Sequence, residues 1–128
     1  MNEGSDVTII ATGHLVWEAI QAGEILAEKG ISADIINIHT IKPLDVDAIL
    51  KSVRKTNCVV TCEEHQMNGG LGDAVAQVLT RNYLAPQEYI AVDDSFGESG
   101  TPEALMEKYG LSSSNIVDKA LKVIQRKQ

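Results

Sequence analysis

The chain has 128 residues, one domain's worth, with 44% hydrophobic and 23% charged side chains, which excludes a disordered tail, a collagen-like fibre and a long coiled coil. Lys plus Arg is 11 against 18 for Asp plus Glu, so the net charge of −7 disfavours nucleic acid and anionic lipid as partners, and 4% aromatics leave few base-stacking platforms. No apolar run approaches the ~20 residues of a membrane span, and the start, residues 1–6, lacks the basic region of a signal peptide, so the cytoplasm is the expected compartment.

Four short, β-branched, nearly continuous apolar runs read as strands covered on both faces: 6–11, 33–38, 58–62 and 89–92. Their starts lie 27, 25 and 31 residues apart, the length of a βαβ unit rather than a hairpin. The first helix is expected over 14–29, with Val16, Ile20, Gly23 and Ala27 on its buried stripe, Thr12 or Gly13 at its start and Gly30 as its stop. Asp45 is placed to cap a second helix that buries Val46, Ile49, Leu50 and Val53. A third runs over 71–81 with Leu71, Ala74, Val75, Val78 and Leu79 inward. Thr101 and Pro102 open a short helix that Gly110 closes. The last follows 112–114, burying Ile116, Val117, Ala120, Leu121 and Ile124, with Lys119, Lys122, Arg126 and Lys127 toward its carboxyl end. Alternation of this kind gives an α/β fold: a parallel sheet with helices on both faces and right-handed crossovers.

Cys58 and Cys62 stand four apart on one strand. They share a face but lie ~13 Å apart along the strand, too far for a disulfide, so two buried free thiols are expected.

Chemistry in an open α/β sheet gathers at the carboxyl ends of the strands. Three segments fall there: 12–14 with His14, 38–43 with His39, and 63–72, where Glu63, Glu64 and His65 precede Gly69, Gly70 and Gly72. The last segment admits three readings. Its helix-start amides suit a phosphate or carboxylate. Glu64 and His65 suit an acid–base pair. Its glycines suit a turn that lets a helix pack closely on the sheet or on another chain. Adjacent glutamates repel an anion, and the Gly-Gly-Leu-Gly spacing is neither a Walker A loop nor a dinucleotide fingerprint, so the packing turn is the plainer reading. The histidines lack metal-ligand spacing. The 93–102 loop lacks the bidentate glutamate of a calcium loop.

Four ordered motifs carry a family resemblance: 6–13 (Asp-Val-Thr-Ile-Ile-Ala-Thr-Gly), 41–45 (Ile-Lys-Pro-Leu-Asp), Glu63-Glu64-His65-Gln66 with Gly69-Gly70-Leu71-Gly72, and 96–102 (Phe-Gly-Glu-Ser-Gly-Thr-Pro). Together they resemble the C-terminal domain of transketolase, nearest to the C-terminal subunit of two-chain transketolases. The resemblance implies a three-layer α/β/α domain over residues 5–128, with 1–4 as linker, four parallel strands in flavodoxin-like order, and a fifth, antiparallel strand upstream that this chain largely lacks. It implies thiamine-diphosphate-dependent transfer of a two-carbon ketol unit between sugar phosphates by the complete enzyme. Thiamine diphosphate and its divalent metal, Mg or Ca, are held by preceding diphosphate- and pyrimidine-binding domains or by a separate N-terminal subunit. No catalytic, cofactor or metal residue is therefore assigned to this chain, which is expected to be inactive alone and to serve assembly of a homodimeric enzyme. His14, Glu63, Glu64, His65, Gly69, Gly70 and Gly72 are its candidate interface or crevice residues. Where single-chain members carry Ser-Glu after the first Thr-Gly, His14 and Leu15 stand here. The run at 33–38 is expected at an exposed edge, so the domain should self-associate there or along the glycine-rich turn. The alternatives are an independent anion- or phosphometabolite-binding module, an enzyme working through Glu64 and His65, and the corresponding domain of a 2-oxo-acid dehydrogenase β subunit or deoxyxylulose-phosphate synthase.

Overall fold

The structure, a computed structural model, describes residues 4–13, 15–38, 45–63, 70–90 and 113–127. Its elements in chain order are β1 (Val7–Ala11), α1 (Leu15–Glu28), β2 (Ala33–Asn37), α2 (Val46–Thr56), β3 (Val59–Cys62), α3 (Leu71–Asn82), β4 (Gln87–Ile90) and α4 (Ser113–Gln125). The helix expected over 101–110 and the loop at 93–102 lie outside the described residues.

All four strands are parallel, in the order β2-β1-β3-β4. β1 is central and wholly buried, which explains its unbroken apolar sequence. Alternate residues feed two cores. Val7, Ile9, Ala11, Cys58, Val60 and Cys62 meet α1 and α4 on one face, while Ile10, Val59 and Ile38 meet α2 and α3 on the other. The result is the expected three-layer α/β/α sandwich, with β2 at one edge of the described sheet. Both cysteines are buried and free.

Several expectations shift. Val46, expected on the buried face of α2, is exposed at the first position of the helix while Ile49, Leu50 and Val53 go into the core, and Ala74 of α3 is only partly buried. The buried stripe of α1 is Leu15, Ala19, Ala22, Gly23 and Leu26, one position ahead of the expected one, and Ala27 is exposed. Two apolar stripes run side by side on this helix. Leu15, Ala19, Ala22 and Leu26 go fully into the core, while Val16 and Ile20 pack at its margin. β4 also starts earlier than its apolar run, at Gln87.

Helix ends follow local chemistry. Gly30 takes φ of +79° after α1, its N–H bonding Ala27 O at 3.0 Å and the Ile31 N–H bonding Leu26 O at 3.0 Å, the paired closure that glycine permits. The Asp45 carboxylate accepts the Ala48 N–H at 3.1 Å and caps α2. At the amino end of the sheet, Gly4 lies so close to the Ser32–Ala33 backbone that a Cβ would collide with it. The Ser32 N–H and hydroxyl both bond the Asp6 carboxylate there, at 2.7 and 3.1 Å.

A buried hydroxyl chain ties α2 to the sheet. Thr8 Oγ1 lies 2.7 Å from Ser52 Oγ and 2.6 Å from Thr56 Oγ1. It ends on Cys58 O, 3.0 Å from Thr56 Oγ1, and on Asp34, 2.5 Å from Ser52 Oγ, where Lys55 adds an ion pair at 3.4 Å. Large apolar side chains left exposed among the described residues are Trp17, Val46 and Leu84.

Candidate functional site

In the order β2-β1-β3-β4 the chain leaves β1 toward one side and β3 toward the other. The switch point between β1 and β3 is where open α/β sheets bind ligands. Thr12 and Gly13 follow β1 there, and Glu63 follows β3. The backbones interlock: the Thr12 N–H bonds Cys62 O at 3.2 Å, and the Glu63 N–H bonds Ile90 O at 2.9 Å. Gly13 turns the chain into α1 at φ of +59°.

Glu63 is the central group. It is 2% exposed. Its Oε1 accepts the Leu71 N–H at 3.0 Å and its Oε2 the Gly72 N–H at 2.7 Å, so both oxygens sit on the first two amides of α3. Gly70, the residue before that helix, offers no side-chain cap. A strand-end carboxylate eight and nine residues back does the capping, with the helix dipole favouring its charge. Gly72 is needed for a second reason: a Cβ there would strike the Tyr89 ring.

Of the candidate residues, the structure brings Glu63 onto Gly72, and Gly70 stands as the residue before α3. His14, Glu64, His65 and Gly69, like His39, lie outside the described residues. The anion reading required free amides at the start of α3, and two of them are occupied by Glu63. The signal for that role is an acidic strand end followed by a helix start lacking Ser, Thr, Asp or Asn as its cap. A second carboxylate behaves alike without any local signal: Glu18 Oε1 on α1 accepts the Ser113 N–H at 3.0 Å, at the start of α4, ninety-five positions on.

No group of three His, Cys, Asp or Glu fit to hold a metal ion occurs among the described residues. With Glu63 engaged, the described donors at the switch point do not fit a diphosphate or its metal. The thiols are inert by environment. Burial, the larger cause, and the Glu63 charge push Cys62 upward, and burial raises Cys58 to about 11.

Near the amino end of β4, three cations of α4 converge on one carboxylate. Lys119, Lys122 and Arg126 approach Glu88 at 3.6, 3.9 and 2.5 Å, and the Glu88 side chain is 12% exposed. Arg126 also donates to Gln87 O at 3.1 Å, joining helix to strand through backbone as well as charge.

A family model described as the C-terminal domain of transketolase matches residues 1–116. The 6-deoxy-6-sulfo-D-fructose transketolase subunit SqwH of Clostridium sp. (strain MSTE9) is 47% identical over 127 residues, covering 99% of this chain and 39% of that protein. A 1-deoxy-D-xylulose-5-phosphate synthase of Desulforudis audaxviator is 40% identical over 119 residues, covering 91% of this chain and 19% of that protein. Among solved structures, a split gene transketolase described as an inactive beta4 tetramer superposes with a TM-score of 0.95 at 43% identity, covering 99% of this chain and 42% of that one. The chain thus spans about two-fifths of its first-ranked curated relative, the 39% given above.

Proposed function

The chain belongs to the transketolase C-terminal domain family, and on that premise we propose that it is the assembly domain of a split, thiamine-diphosphate-dependent transketolase. In this reading the complete enzyme moves a two-carbon ketol unit between sugar phosphates in the cytoplasm. The pyrimidine- and diphosphate-binding parts, on an N-terminal subunit or on further sequence of the same protein, hold the cofactor and its divalent metal. When bound, the cofactor supplies a carbanion-stabilising centre. This chain supplies a rigid face for the partner and for a second copy of the enzyme.

The observation carrying this reading is the use of Glu63: this carboxylate, among the described residues at the switch point, is buried with both oxygens engaged on α3's own amides. The solved relative adds support, since its description pairs a beta-only tetramer with inactivity.

The test mixes the purified chain with the N-terminal subunit, thiamine diphosphate and magnesium, and follows transfer from a ketose phosphate to an aldose phosphate. Turnover is expected only in the mixture, and turnover by the chain alone overturns the proposal. Replacing the ketose donor with pyruvate separates the deoxyxylulose-phosphate synthase alternative, which one relative at 40% identity keeps in play. Glu64→Arg should weaken assembly more than it weakens folding of this domain.

A further inference from the structure

We infer that Glu63 is a built-in anion: its carboxylate fills the phosphate-type cradle at the switch point and pins the end of β3 to the start of α3. The cradle has the usual parts. Gly70 leads into a twelve-residue helix that follows a parallel strand in the chain, and the first two helical N–H groups point at one carboxylate. What occupies it is covalently part of the fold. The two oxygens sit at 3.0 and 2.7 Å from separate amides, the two-pronged geometry of a charge-assisted pair.

Two consequences follow for function. A phosphate or carboxylate arriving from outside must displace a buried side chain that brings its own charge, so sugar-phosphate oxygens find no anchor at these amides. And because Glu63 follows β3 while Leu71 and Gly72 open α3, one carboxylate ties the end of β3 directly to the start of α3. Glu63 is a positioning residue, not a catalytic one. This assignment does not depend on the assembly reading.

The experiment uses Glu63→Ala and Glu63→Gln in the whole chain. In Glu63→Ala the cradle is vacated, so the melting midpoint should fall by several degrees and recover by about half or more in sodium formate but not in sodium chloride of equal strength. Wild type should respond alike to both salts. A folded Glu63→Ala whose formate response matches wild type overturns the inference. Should that variant not fold, Glu63→Gln decides. Its amide keeps one acceptor but turns N–H toward N–H at the other prong, so hydrogen exchange at Leu71 and Gly72 should quicken about tenfold while Val75 and Val78 hold. Unchanged exchange overturns the inference. Inorganic phosphate titrated into wild type should leave the Leu71 and Gly72 amide resonances in place, and saturable shifts there would also sink it.

Discussion

Gly72 shows how a single missing methyl sets the geometry of the site. A Cβ would meet the Tyr89 ring and lie 3.2 Å from Thr61 Oγ1. Gly72→Ala must therefore displace either the Tyr89 ring or the first turn of α3 that bonds Glu63. Urea unfolding should show a loss of about 1–3 kcal/mol, the range for overpacking a tight contact. Reactivity at the two thiols is governed just as locally. Desolvation disfavours the thiolate, so Cys58 ionises only near pH 11, and Cys62 is shifted further in the same direction. At pH 8 a soluble disulfide reagent should leave both thiols unmodified over a period that fully labels the chain in denaturant. Rapid native labelling would show that the strand opens far more readily than its burial implies.

At the scale of elements, the entry to β1 is a titratable joint. The Ser32 N–H, the larger influence, and the Ser32 hydroxyl hold the Asp6 carboxyl below its ordinary value of 3.8, with Lys127 adding attraction. A depressed carboxylate stabilises the fold at pH values above the unfolded pKa, and that contribution disappears as pH falls through the folded one. The stability gap between wild type and Asp6→Asn should be flat above about pH 5 and close progressively in acid below it. A gap independent of pH would mean that the Asp6–Ser32 bonds add nothing that charge controls.

The same scale shows what the chain's letters reveal. β1, β3 and the parallel order were legible because strands buried on both faces read as unbroken apolar runs. The cap of α2 was legible because Asp45 and Ala48 are three residues apart. The register of α1 was not, since two apolar stripes lie side by side and only packing against the sheet and α4 selects Leu15, Ala19, Ala22 and Leu26. Nor was the start of β4. Gln87 and Glu88 look like loop residues until Lys119, Lys122 and Arg126 arrive from over thirty positions downstream to neutralise Glu88. Glu63 stood among the candidate residues, but its work as a remote cap depends on a contact that no helical spacing announces.

Across the whole molecule, carboxylates are used to hold helix starts. Asp45, Glu63 and Glu18 each hold the amide end of a helix, α2, α3 and α4 in turn. At the amino end of β4, three cations share one carboxylate, an arrangement that gathers positive charge in a chain whose net charge is −7.

Trp17 is the sole tryptophan of the chain, and α1 presents it 65% exposed, one residue from the Glu18 that holds α4. Its indole therefore works as an optical gauge of the outside, blind to the core. Emission of the free chain should already be red and readily quenched by iodide, so melting should scarcely move it. Engagement of that side by another subunit should instead shift the spectrum blue and shield it from the quencher, giving a label-free titration curve. Identical spectra before and after complex formation would place the contact on a different flank.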